Sequence, residues 1–244
     1  MAENFQFGSK LIPAQELPSL LSRYQLLPQL LRGLIIDSAI APYSCTEAER
    51  QLAVKQFEQQ QQIASQEVRD AWLQQQGMTI EQMEELAVRP MLLEQFKTDT
   101  WGSKVESYFI SRKANYDGAI FSLLRLPDGL LAQEIFFRIQ EEEESFSQLA
   151  QQYSKGAEAH TGGVVGPVPL SHLNPALAKI LSISQPGHLW PPTRLEEWFV
   201  IVRLEKFLPA QLDEQMRHRL INEMFEIWLK EQMQQLEPLR FSGS

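Results

Sequence analysis

The chain has 244 residues, 43% hydrophobic and 22% charged, enough to bury at least one ordinary core with room for two small lobes, which excludes collagen, a coiled-coil rod and a disordered tail. Its 22 Lys and Arg against 31 Asp and Glu give a formal charge of -9. That charge disfavours nucleic acid or an anionic membrane as a general partner and leaves an unfolded or cationic polypeptide compatible.

The single cysteine, Cys45, has no second thiol for an internal disulfide or a thiolate metal cluster. Met1 to Lys10 include an acid and lack the apolar block of a secretory signal. No stretch approaches the roughly 18 uninterrupted apolar residues of a membrane span. Cytoplasmic location is the resulting expectation, with no integral membrane segment.

From Ile12 to about Ser111 apolar residues recur at three and four, the period of helices. Leu17, Leu20, Leu21 and Tyr24 line one face of a first helix. Leu30, Leu31, Leu34, Ile35 and Ile36 belong to a second, more buried one, with Pro28 between them. Thr46 with Glu49 is a capping-box spacing and predicts a helix over about 47–62. Thr79 with Gln82 repeats it and opens a short helix that ends before Pro90. A further helix over about 91–113 carries Leu92, Leu93, Phe96, Val105, Phe109 and Ile110.

At Tyr116-Asp117-Gly118 the pattern changes. Ala119 to Leu126 is short and apolar, bounded by Asp117-Gly118 and Pro127-Asp128-Gly129, and reads as a strand. A helix follows over about 130–143, with Leu131, Ile135 and Ile139 inward. Ser145 offers the N-cap of the next, which holds Phe146, Leu149, Ala150 and Tyr153. A glycine-bearing loop over 155–166 leads into a strand at Val164 to Val168. Asn174-Pro175 starts another helix, Pro186-Gly187 ends that unit, and Glu197 to Leu204 reads as the best strand in the chain. After Pro209 the residues Leu212, Met216, Leu220, Met224 and Trp228 form a helical stripe that packs most economically on the N-terminal half.

Phe146 to Ser154 (FSQLAQQYS), Gly162 to Gly166 (GGVVG), Leu173 to Leu177 (LNPAL), Pro186-Gly187 and Trp198 to Val202 (WFVIV) stand in one order. That order resembles the parvulin family of peptidyl-prolyl cis-trans isomerases, and the helical flanks are similar to the chaperone lobe of SurA-type foldases. The resemblance implies an α+β fold, with a parvulin-like domain over 116–207 inserted between a helical N-terminal lobe, 1–115, and a C-terminal helix, 208–238. It also implies isomerisation at Xaa-Pro bonds of unfolded or exported polypeptides, with no cofactor and no metal.

Carried across, the apolar slot for the proline ring falls at Leu173 and Leu177. The first-strand histidine falls at Ser122, the closing-strand histidine at Phe199, and the cysteine or aspartate at Gly156, so the family's polar network is missing. Ser122 and nearby His160 are the candidate catalytic side chains. Leu173, Leu177, Phe199 and Trp190 are the candidate substrate contacts, although Leu173 and Leu177 read equally as plain core. Two functions stay open. One is a parvulin-type isomerase; the other is a chaperone or secretion adaptor that holds client peptides without isomerising them and hands them to export machinery.

Overall fold

The computed structural model describes residues 4–7 and 10–236, the side chains from Leu11 onward. The chain forms two compact units, one of Met1–Val105 with Arg217–Ser244, the other of Glu106–Met216. The predicted C-terminal helix ran to 238, and its last two positions lie outside the described residues.

The first unit opens with an antiparallel hairpin, β1 (Asn4–Phe7) and β2 (Lys10–Pro13). Helices α1 (Leu17–Arg23), α2 (Leu27–Ile40), α3 (Glu47–Gln60), α4 (Gln66–Gln76) and α5 (Ile80–Trp101) follow, and α10 (Glu214–Gln235) supplies most of its length to the same unit. Both expected capping boxes are formed. The Thr46 amide donates to Glu49 Oε2 at 2.8 Å and the Thr79 amide to Gln82 Oε1 at 2.9 Å. The first unit's core is aromatic, with Phe96, Trp101, Phe225 and Trp228 at centroid separations of 5.2 to 6.0 Å. Arg32 on α2 donates to both oxygens of Glu226 on α10, at 2.9 and 2.6 Å.

Three expectations are corrected here. Helix α5 runs straight through Pro90 instead of ending before it. Proline removes one i to i-4 bond, but the burial of Met83, Ala87, Val88 and Trp101 on both sides of it outweighs that loss. The break comes at Gly102–Lys104 instead, so the helix expected over 91–113 is split, and α6 (Val105–Tyr116) is separate. Helix α2 buries Ile36 and Ile40, whereas Leu30 and Leu34 are exposed. Helix α4, capped by Ser65 and closed by Gly77 at φ 65°, went unread because its glutamine-rich sequence shows little apolar stripe.

The second unit is built on a four-stranded antiparallel sheet of order β4-β3-β6-β5, from β3 (Gly118–Leu126), β4 (Val164–Pro169), β5 (Leu189–Leu195) and β6 (Trp198–Leu208). Strand β5 was missed because it contains Pro191 and Pro192; at a sheet edge their missing N–H groups need no partner. Helices α7 (Gly129–Gln140) and α8 (Phe146–Tyr153) join the core of Leu124, Leu126 and Ile201. Helix α9 (Pro175–Ile183) joins a separate core containing Phe121, Leu123, Val200, Val202 and Leu204. The alternation of side chains along a strand assigns each residue to one of these two faces.

Candidate functional site

On the α9 face, Phe121 and Leu123 of β3, Val200 and Trp198 of β6, Val165 of β4 and Leu195 of β5 surround Leu173 and Leu177. They enclose an apolar cavity of about 300 Å³. Asn174 sets its rim. Its side-chain oxygen accepts from the Ala176 amide at 2.9 Å, with Pro175 next, so the chain turns into α9 immediately after Leu173. Leu173 is half-buried beside the opening, and Leu177 is 6% exposed at the wall.

Gly163 and Gly166, at φ 88° and 112°, bring the preceding loop against the sheet. A Cβ on Gly163 would meet Phe146, Ala150 and the Leu123 carbonyl, and one on Gly166 would stand 2.5 Å from the Ala119 carbonyl. Neither place admits a side chain. The glycine pattern is therefore a packing device that seats β4 beside β3.

The polar lining comes from Arg125, His172, Asn174 and Glu196, of which the sequence motifs mark only Asn174, as a helix start. Glu196, at φ 56° in the β5–β6 turn, accepts from Asn174 Nδ2 at 3.3 Å through its carboxylate. Its backbone carbonyl accepts from Arg194 Nε at 3.2 Å. Arg125 follows Phe121 and Leu123 at the two-residue period of β3, and its Nε and Nη2 donate to the two oxygens of Glu158 at 2.9 and 2.6 Å. Glu158 is 4% exposed. Ser154 Oγ donates to Glu158 at 2.7 Å and accepts from the Arg125 amide at 3.0 Å.

Burial alone would push the Glu158 carboxyl up, but hydrogen bonds from Arg125, Ser154 and the backbone, with the Arg125 charge, hold it below the ordinary carboxylate range. The same hydrogen bonding raises the Arg125 guanidinium. The pair carried a faint sequence signal: an arginine at the end of an apolar strand and an acid in the loop beyond Ser154. Nothing in their separation of 33 positions announced the contact.

Of the sequence-derived candidates, only Leu173 and Leu177 line this cavity. Ser122 is 2% exposed among the even-numbered residues of β3, on the opposite face, and donates to Glu205 Oε1 at 2.5 Å. Phe199 faces α7, close enough that a Cβ on Gly129 would touch its ring at 2.9 Å. His160 is exposed in the 3-10 turn Ala157–Thr161. Trp190 is tied to the end of α9, its Nε1 donating to Ser184 Oγ at 2.5 Å, with its ring edge-on to His188. Ser122 and Phe199 are excluded from the cavity wall because both lie where the β3–β6 register is continuous, so alternation sets them opposite Phe121, Leu123, Trp198 and Val200.

Among the described residues, no group of three or more His, Cys, Asp or Glu side chains converges to hold a metal ion, and no helix is long and apolar enough to cross a membrane. The model of the PPIC-type PPIase (rotamase) domain family matches residues 130–206, a segment that includes nearly all of α7, all of α8 and α9, the rim residues Asn174 and Glu196 and most of β6. This segment is a PpiC-type, parvulin-fold domain. Comparison with curated proteins found no match.

Among solved structures, the chain is similar to the peptidylprolyl isomerase PrsA from Bacillus cereus, at 17% identity and TM-score 0.52, over 100% of this chain and 95% of that one. It is also similar to PrsA from Bacillus anthracis, at 16% identity and TM-score 0.47, over 87% and 100%. A further similar structure belongs to the pair PEB4 and the periplasmic protein Cj1289, two SurA-like chaperones of Campylobacter jejuni, at 14% identity and TM-score 0.37, over 95% and 93%. The Bacillus cereus likeness bears on fold, and it extends beyond the PpiC-type domain to the helical unit that the family model leaves uncovered.

Proposed function

We propose that the chain is a foldase whose PpiC-type domain isomerises Xaa-Pro bonds of unfolded polypeptides. The observation that carries this reading is the apolar cavity at Leu173 and Leu177, closed on the sheet side by Phe121, Leu123 and Val200 and edged by polar groups. A pyrrolidine ring is small, apolar and rigid, and it fits such a slot with only the backbone around it needing hydrogen bonds. Rotation about the Xaa-Pro bond faces a barrier of about 18–20 kcal/mol from amide resonance. An apolar site that grips the ring and excludes water from the amide favours the twisted state relative to bulk solvent.

The test is exchange NMR on short Xaa-Pro peptides with the full chain. Acceleration is expected, with a loss of roughly tenfold or more in Leu173→Ala, since truncation at the rim removes ring contacts while leaving the buried Leu177 in place. A folded wild-type chain that leaves the exchange rate unchanged overturns the isomerase reading. It would favour a chaperone that holds clients without turning them over, the reading that the absent motif histidines support.

Unfolded, proline-containing polypeptides are the proposed clients, and delivery to export machinery belongs to the same proposal. The proposed place of action is the cytoplasm, on the sequence reading alone. Fractionation of the native host tests it, and recovery outside the cytoplasmic fraction overturns it.

A further inference from the structure

The isomerase reading leaves open which polar group acts on the amide, since Ser122 and Phe199, the positions that the sequence resemblance gave to the motif histidines, face the other side of the sheet. We infer that Arg125 is that group: a catalytic residue whose guanidinium donates to the prolyl nitrogen as the amide twists. The inference rests on the proposed isomerase function and concerns the same cavity.

Three observations converge on Arg125. It lines the cavity together with Phe121 and Leu123. It is fixed at both ends, because the Arg125 amide donates to Ser154 Oγ and the Arg125 side chain grips both oxygens of a carboxylate that Ser154 also engages. Its side chain is 39% exposed, while that of Glu158 is 2% exposed, so the carboxylate is inside and the arginine stands at the cavity boundary.

A guanidinium carries five N–H donors. The Glu158 pairing uses the Nε–H and one Nη2–H, so both Nη1 donors and the second Nη2 donor are directed elsewhere by the planar geometry. Glu158 also neutralises the charge of Arg125. The residue therefore acts as an oriented donor to a neutral acceptor and not as a trap for anionic side chains.

The acceptor follows from what a wall-fixed donor can reach. With the proline ring seated against Leu173 and Leu177, the ring nitrogen is held still while the acyl group before it rotates. In the planar amide the nitrogen lone pair is delocalised and accepts no hydrogen bond. In the twisted state it is localised and accepts one. A bond made only in the twisted state lowers the barrier without tightening ground-state binding. Donation to the acyl oxygen would do the reverse, since it strengthens amide resonance. Glu158 and Ser154 are positioning residues in this scheme.

The experiment is full-chain exchange NMR resolving kcat and KM on Ala-Pro and Leu-Pro peptides. It compares wild type, Arg125→Lys, and the double variant Arg125→Met with Glu158→Gln. Lysine keeps a positive partner for Glu158 but loses the remaining oriented donors. The double variant removes the pair as a neutral unit, so no carboxylate is left buried alone. A fall in kcat of roughly 10- to 100-fold with KM within about twofold is expected in both.

Folded variants that keep wild-type kcat, or that change only KM, overturn the role of Arg125 and leave the isomerase reading standing. A wild-type chain without acceleration overturns both. If neither variant folds, the wild-type Arg125 guanidinium nitrogen resonances decide: a shift on saturation with peptide is expected, and unchanged resonances overturn the assignment.

Discussion

Glu158 decides much at the residue scale. Its folded-state carboxyl titrates below the ordinary range, so its contribution to stability is fully present at neutral pH and is lost as pH falls through and below the unfolded value of about 4.3. Denaturant titrations of wild type and Glu158→Gln should differ at pH 7, with the gap closing below about pH 4. A constant gap would mean that the stabilisation does not depend on ionisation. Removing Arg125 alone, as Arg125→Met, leaves the carboxylate inside without its cation and should cost on the order of 3 kcal/mol, at the lower end for a buried pair because the guanidinium is partly in water. Ser122→Ala should leave the apolar slot intact, since its hydroxyl serves Glu205 on the far face. Unchanged KM in the exchange assay checks this.

At the scale of elements, caps were the most legible features. Thr46, Thr79, Ser145 and Asn174 all act as caps, with their oxygens accepting amides two or three residues on, because the interaction is confined to four residues and needs no tertiary information. Ser145→Ala should cost about 1 kcal/mol in chemical denaturation by removing one such cap. Pro90 shows the opposite case. A proline reads as a stop from sequence, yet α5 continues because the apolar residues on both sides of it are buried. Pro90→Ala should therefore stabilise the chain by on the order of 2 kcal/mol, the helix penalty of proline less the unfolded-chain entropy that it removes. A lower melting temperature in that variant would show instead that the proline ring packs productively. Strand β5 and helix α4 were hidden for related reasons: two prolines mask an edge strand, and a run of glutamines masks a helix.

At the scale of the whole molecule, the last helix belongs to the unit built by the first hundred residues. Leu220, Ile221, Met224, Phe225 and Leu229 are buried there, close to the stripe expected from the sequence. Chain truncated before Glu214 should lose the cooperative unfolding of the helical unit, because Trp101 and Phe96 lose their aromatic partners Phe225 and Trp228. The sheet of the PpiC-type domain is complete by Leu208 and should persist. Far-UV circular dichroism, with tryptophan fluorescence from Trp190 and Trp198 in a chain carrying Trp72→Phe and Trp101→Phe, separates the two events, and a single unchanged cooperative transition would refute this division.

The sequence by itself determined the change from helical to α+β organisation near residue 116, the caps, the turn glycines and the apolar pair Leu173 and Leu177, because each is written in local spacing. Only the tertiary structure decided which polar residues face that pair. Strand alternation turned Ser122 and Phe199 to the other side, and folding brought Glu158 back across 33 positions to hold Arg125 at the cavity. Local chemistry fixes where a strand begins and which residues share its parity. Which parity meets the slot is settled by the helices that pack on each face of the sheet, and that choice depends on contacts between residues far apart in the chain.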